Sequence, residues 1–145
     1  MKKENDIKMK NTILILEDSK IQRIQIIDEL KRDDREIIST GSILEAKEIY
    51  DSNKFKIGLF ILDLKLPDGN GVEFLEYVRE SLNVAPAIIQ SGFLSQNIIS
   101  RARELGIIEF FEKPIQITNL VLVVEEYFND NINANKKKKI MFIVN

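Results

Sequence analysis

Five short apolar runs, each followed by a stretch with helical spacing, succeed one another between residues 12 and 129. No other feature of the chain limits its fold as tightly. Strands that alternate with helices in this way close into a parallel sheet with helices on both faces and right-handed crossovers. The pattern predicts strands over residues 12–17, 36–40, 57–62, 86–90 and 107–111, and helices over 19–32, 42–53, 71–81, 95–105 and 118–128. In the first helix Ile21, Ile24, Ile27 and Leu30, with Ile26 beside them, recur at a spacing near three and mark a buried stripe. Ser42 and Glu45 have the form of a capping box. Val72, Leu75 and Val78 share a face of the third helix. Pro86 opens the fourth strand where it costs no ladder bond, and Ser95 and Gly106 bracket the fourth helix. The fold class expected is α/β, a doubly wound five-stranded parallel sheet with five helices.

Composition removes whole classes of chemistry. The 145 residues contain no cysteine and no histidine. Disulfides, thiolate metal sites and thiol nucleophiles are thereby excluded, as are Ser-His-Asp machinery and imidazole acid–base steps. What remains is carboxylates, hydroxyls, Lys, Arg and a bound cation. A net charge of −2 gives the domain no electrostatic case for nucleic acid. No apolar run reaches the length of about 18 residues that a membrane span needs, and Met1-Lys2-Lys3-Glu4-Asn5-Asp6 lacks the apolar core of a secretion signal. A cytoplasmic protein is the expectation.

The informative residues stand at strand ends. The run Gly58-Leu59-Phe60-Ile61-Leu62 ends in Asp63 and is followed by Leu66-Pro67-Asp68-Gly69-Asn70-Gly71. An acid there faces the crevice in which open α/β sheets bind ligands, although taken alone it serves equally as a turn cap. The first strand ends in Glu17-Asp18, the fourth in Ser91, and the fifth leads into Lys113-Pro114. In a parallel sheet these ends can lie side by side, bringing three carboxylates, a hydroxyl and an ammonium into one pocket. Three close acids repel and call for positive charge. Lys113 supplies one, and oxygen-only ligands suit Mg²⁺, with Mn²⁺ as a substitute. Asp63 can then take a phosphoryl group as an acyl phosphate, with Lys113, Ser91 and the cation offsetting charge on the transferred oxygens.

The motifs I-L-I-L-E-D-S, I-L-D-L-K-L-P-D-G-N-G, I-I-Q-S-G and F-F-E-K-P together resemble those of response-regulator receiver domains, over about residues 11 to 129. The resemblance implies the flavodoxin-like receiver topology and a chemotaxis-regulator-like switch. It implies that Asp18 and Asp63 bind Mg²⁺ with the backbone carbonyl of Lys65, and that Glu17 acts mostly through water. It implies that Phe110, three residues before Lys113, turns inward when Ser91 moves to the phosphoryl group. That movement would reshape a face made by the fourth helix, fifth strand and fifth helix, to which an output domain or partner protein binds. Having no histidine, the chain would be charged by a sensor histidine kinase, a phosphotransfer protein or a domain beyond it, catalysing only its own phosphorylation and dephosphorylation. Glu17 in place of the commoner Asp, Ser91 in place of Thr and Gly92 in place of Ala depart from the family pattern without removing a needed group.

Two rival functions follow. A phosphatase of the haloacid-dehalogenase type places a second Asp two residues after its nucleophile, where this chain has Lys65. A phosphorylation-independent docking module has no need of the full acid, hydroxyl and lysine set. Lys65 and Phe93, each two residues past a site residue, are read as a rim that diverts the hydrolytic water. Val121-Leu122-Val123-Val124 is more apolar than one buried face requires, as expected for a partner or homodimer surface or for a deeply packed helix. Residues 1–11 read as a flexible segment, 12–129 as the receiver domain and 130–145 as a polar, Lys-rich tail. The closing run Ile140-Met141-Phe142-Ile143-Val144 reads as strand-like, either the first strand of a second domain or an extra element docked on this one.

Overall fold

The computed structural model describes residues 10–92 and 95–144. The expected N-terminal segment up to residue 9, and Phe93, lie outside the described residues. The chain runs β1 (Thr12–Leu16), α1 (Lys20–Leu30), β2 (Glu36–Thr40), α2 (Ile43–Asn53), β3 (Ile57–Asp63), β4 (Lys65–Leu66), β5 (Gly69–Asn70), α3 (Gly71–Glu80), β6 (Ala87–Ser91), α4 (Gln96–Glu104), β7 (Ile107–Glu112) and α5 (Ile117–Val144). Five strands form one parallel sheet in the order β2-β1-β3-β6-β7. This is the doubly wound arrangement expected. β1 and β3 occupy its middle, so their carboxyl ends open side by side at the point where strand order reverses.

Strand geometry explains the continuous apolar runs. Successive side chains point to opposite faces, and every residue of β1 and β3 is buried. Leu14, Leu16, Phe60, Leu62 and Ile89 enter one layer with Tyr50 of α2 and Phe74 of α3. Ile13, Ile15, Leu59, Ile61 and Ile88 enter the other with Ile26 and Leu30 of α1 and Leu120, Val124 and Phe128 of α5. A sheet covered on both faces needs no polar alternation. In the first layer the Tyr50, Phe60 and Phe74 rings meet at tilted or edge-on angles with centroids 5.9–6.3 Å apart, each pair adding about 1 kcal/mol beyond its buried area.

Several local expectations need correction. In α1 the buried line is Ile26 and Leu30, whereas Ile21 is 71% exposed and Ile24 faces outward. Once the sheet fixes the packing face, residues 26 and 30, four apart, cover it, and the stripe through 21 and 24 lies outside it. Pro86 precedes its strand and contributes only its carbonyl, which accepts from the Phe60 N–H at 3.0 Å. Ser42 accepts from the Glu45 N–H at 3.2 Å, but its own N–H donates to Thr40 Oγ1, so only half of a capping box forms. Asp68 supplies the rest from the β4–β5 turn, accepting from the Ile43 and Leu44 N–H groups at 2.9 and 3.0 Å. These two bonds hold its carboxyl below the usual carboxylate range. The backbone of residues 140–144 is helical rather than strand-like. No Gly or Pro interrupts the chain after Pro114, so helix propagates one bond per residue where a strand would need a neighbouring edge.

Candidate functional site

The site grows out of the β1–α1 and β3–β4 turns. Ser19 caps α1 by accepting from the Gln22 N–H, which pins the turn carrying Glu17 and Asp18. Arg23, one turn into that helix, donates to the Glu17 and Asp18 carbonyl oxygens at 2.5 and 3.3 Å. Beyond Asp63 the ribbon of β4 and β5 turns the chain back, so that Gly71 passes against the end of β3. A Cβ on Gly71 would lie 2.0 Å from the Asp63 carbonyl oxygen, so only glycine permits this approach. Asn70 then caps α3, its Oδ1 accepting from the Val72 and Glu73 N–H groups.

These turns bring the strand-end residues together. Lys113 donates to Glu17 Oε1 at 2.6 Å and to Asp63 Oδ2 at 2.7 Å. Asp63 Oδ1 accepts from the Lys65 N–H at 3.2 Å, and Glu17 Oε2 from the Ser19 N–H at 3.1 Å. Glu17 and Asp63 are buried, whereas Asp18 is exposed at the mouth. One carboxylate oxygen from each of Glu17, Asp18 and Asp63 lies within 4.8 Å of the others. Burial raises the Glu17 carboxyl above its ordinary value, against the lowering effect of Lys113. Burial pulls the Lys113 ammonium down, but its bonds to Asp63 and Glu17 outweigh that and hold it above its ordinary value. Three acids against one ammonium leave two negative charges when ionised, and every donor is oxygen. That set fits one hard divalent cation.

The other expected site residues stand at different distances from this centre. Ser91 is buried at the end of β6, and its carbonyl accepts from the Lys113 N–H at 2.8 Å. Lys65 has an exposed side chain and meets the site through its backbone. Phe110 is separate from the acids. It packs partly into the α2–α3 layer with the Arg103 guanidinium 5.7 Å from its ring centre. Three residues that sequence reasoning passed over also belong here. Arg23 clamps the turn and Gly71 admits it. Gln90, fully buried, donates from Nε2 to Glu17 Oε1 at 3.3 Å. An amide inside the otherwise aliphatic run Ala87-Ile88-Ile89 was the available signal for it.

A doubly wound sheet with an acidic, lysine-bridged pocket at its switch point defines a flavodoxin-like domain whose chemistry lies at the carboxyl ends of the central strands. The family model described as response regulator receiver domain matches residues 13–125, and the chain belongs to that family. It is 27% identical over 121 residues to the transcriptional regulatory protein PdtaR of Mycobacterium tuberculosis, covering 83% of this chain and 58% of that one. It is 25% identical over 124 residues to the polar-differentiation response regulator DivK of Brucella ovis, covering 84% and 99%. The non-phosphorylated HemR receiver domain of Leptospira biflexa superposes with a TM-score of 0.72 at 28% identity, covering 80% of this chain and 92% of that one. The chain thus spans little more than half the length of PdtaR. As a receiver domain it is a signalling part of two-component systems rather than an enzyme in the ordinary sense. Among the described residues no helix is long and apolar enough to cross a membrane.

Proposed function

We propose that Asp63 is the phospho-acceptor of a cytoplasmic two-component response regulator, charged by a sensor histidine kinase or a phosphotransfer protein. The observation that carries this reading is the Lys113 ammonium bridging Glu17 and Asp63 at 2.6 and 2.7 Å, with Asp18 at the mouth of the same pocket. In transfer, an Asp63 carboxylate oxygen forms the new bond to phosphorus while the phosphorus–nitrogen bond of the donor phosphohistidine breaks, returning the electron pair to the imidazole. Lys113 and the Ser91 hydroxyl meet the charge on the transferred oxygens. Asp18, Asp63 and the Lys65 carbonyl are the residues to hold Mg²⁺ or Mn²⁺, with Glu17 contributing through water. Bound there, the cation would offset charge on a phosphoryl group.

Output, in this reading, runs through the face of α4, β7 and α5. Ser91 and Phe110 rearrange together, and the exposed Ile108 and Leu122 offer apolar contact to a partner, an output domain or a second copy. Residues 12–129 are the switching unit, and residues 130–145 a polar, Lys-rich tail. Incubation with a small phosphodonor and Mg²⁺, followed by intact mass, tests the assignment. A phosphoryl adduct is expected on the parent and none on Asp63→Asn. An unmodified parent would favour a docking module that works without phosphorylation.

A further inference from the structure

The amide of Gln90 is fully buried in an otherwise apolar stretch of β6. β6 is buried at every residue, and its neighbours Ile88 and Ile89 are aliphatic. Gln90 pairs in register with Asp63. Its Nε2 donates to Glu17 Oε1, the same oxygen that Lys113 bonds, while among the described residues its Oε1 finds no partner. A buried polar group satisfied on one side only costs stability, and an aliphatic residue of like volume would not. The one hydrogen bond this amide makes among the described residues is to Glu17.

We propose that Gln90 is a positioning residue, fixing the Glu17 carboxylate beneath the acceptor so that it serves a cation at the mouth without swinging onto it. The inference rests on the phospho-acceptor reading. Glu17 carries one methylene more than an Asp would, and unanchored it has the reach to leave the pocket floor. Lys113 cannot be the lasting anchor, because it is shared with Asp63 and is needed by a transferred phosphoryl group. Among the described residues, the Ser19 N–H and the Gln90 amide are the donors to the Glu17 carboxylate besides Lys113. Outer partners of this kind set metal affinity as strongly as many ligands do.

Calorimetric titration of the full chain with MgCl₂ tests this, using the parent, Gln90→Leu, Glu17→Asp and the double variant. Gln90→Leu is expected to bind Mg²⁺ roughly 10-fold more weakly, while its metal-free thermal midpoint holds or rises. In the Glu17→Asp background, where the shorter acid no longer reaches the amide, the same substitution is expected to change affinity by less than about 2-fold, as residues that act through one another are non-additive. Gln90→Met, unbranched and close to Gln in volume, guards against a folding defect in the Leu variant and is expected to show the same loss. Equal affinity in parent and Gln90→Leu, or equal losses in both backgrounds, overturns the positioning role. A parent that takes up neither Mg²⁺ nor a phosphoryl group overturns the underlying reading and this inference with it.

Discussion

At the residue scale the decisive group is Lys113, since it bridges two buried acids. Its side chain is 19% exposed and bonds both Glu17 and Asp63. Removing one partner of a buried ion pair leaves an uncompensated charge, and such losses run to about 3 kcal/mol. Lys113→Met is therefore expected to lower stability by about that amount, measured by urea unfolding. Adding Glu17→Gln should recover much of it, because the remaining acid then faces a neutral neighbour. A loss of the same size in both backgrounds would show that Lys113 acts through packing instead. A second residue, Leu82, departs from local rules in the opposite sense. It follows α3 with a φ of +63° and is 87% exposed. A Leu in the left-handed region costs about 1 kcal/mol, offset only in part by its N–H, which donates to the Arg79 carbonyl at 3.0 Å. Leu82→Asn is expected to raise the unfolding midpoint, since Asn tolerates this conformation.

At the element scale the site depends on how α3 and α5 are fastened. Gly71→Ala would force a Cβ against the Asp63 carbonyl. Either β3 or α3 must then move, at an expected cost of about 2 kcal/mol together with loss of the phosphoryl adduct. α5 is tied to the α1–β2 connection by Arg35, which bonds Glu125 through two nitrogens at 2.7 and 3.2 Å and lies 4.6 Å over the Phe128 ring. The Arg35 bond holds the Glu125 carboxyl below its ordinary value of 4.5. A lowered folded value means stability that is complete above that ordinary value and fades as pH falls through the folded one. Glu125→Gln should cost about 1 kcal/mol at neutral pH and flatten this acid limb of the stability profile. Elements of this kind were legible where one face of a pattern repeats, as in α3, and where β3 is buried on both sides. The β4–β5 ribbon was not, because two residues per strand carry no period. Neither were the Asp68 cap, which comes from 25 residues along the chain, or the reach of α5, whose polar stretch after Phe128 shows no apolar stripe. The strand-end acids and Lys113 could be read because parallel topology alone makes them neighbours. Gln90 could not, since its role appears only once Glu17 is seen to lie against it.

At the scale of the whole molecule, two apolar layers hold together an edge that its own charges oppose. The core on either side of β1 and β3 is built of buried apolar side chains, and it keeps Glu17, Asp18 and Asp63 within 4.8 Å of one another against their repulsion. Natural domains sacrifice stability at functional sites in this way. The metal-free protein should accordingly be less stable than its core allows, and a cation that binds only the folded state should restore the difference by mass action. At a concentration 100 times its dissociation constant that gain is about 2.7 kcal/mol, a rise in thermal midpoint of roughly 5–10 °C for a domain of this size. MgCl₂ is expected to produce it in the parent, and NaCl at equal ionic strength is not. Asp18 separates this effect from general screening. Exposed at the mouth and outside the Lys113 bridge, it contributes little to the metal-free fold, so Asp18→Asn should keep the metal-free midpoint and lose the Mg²⁺ response. An Asp18→Asn variant that responds like the parent would place the cation elsewhere and leave the convergence of the three acids without a ligand to explain it.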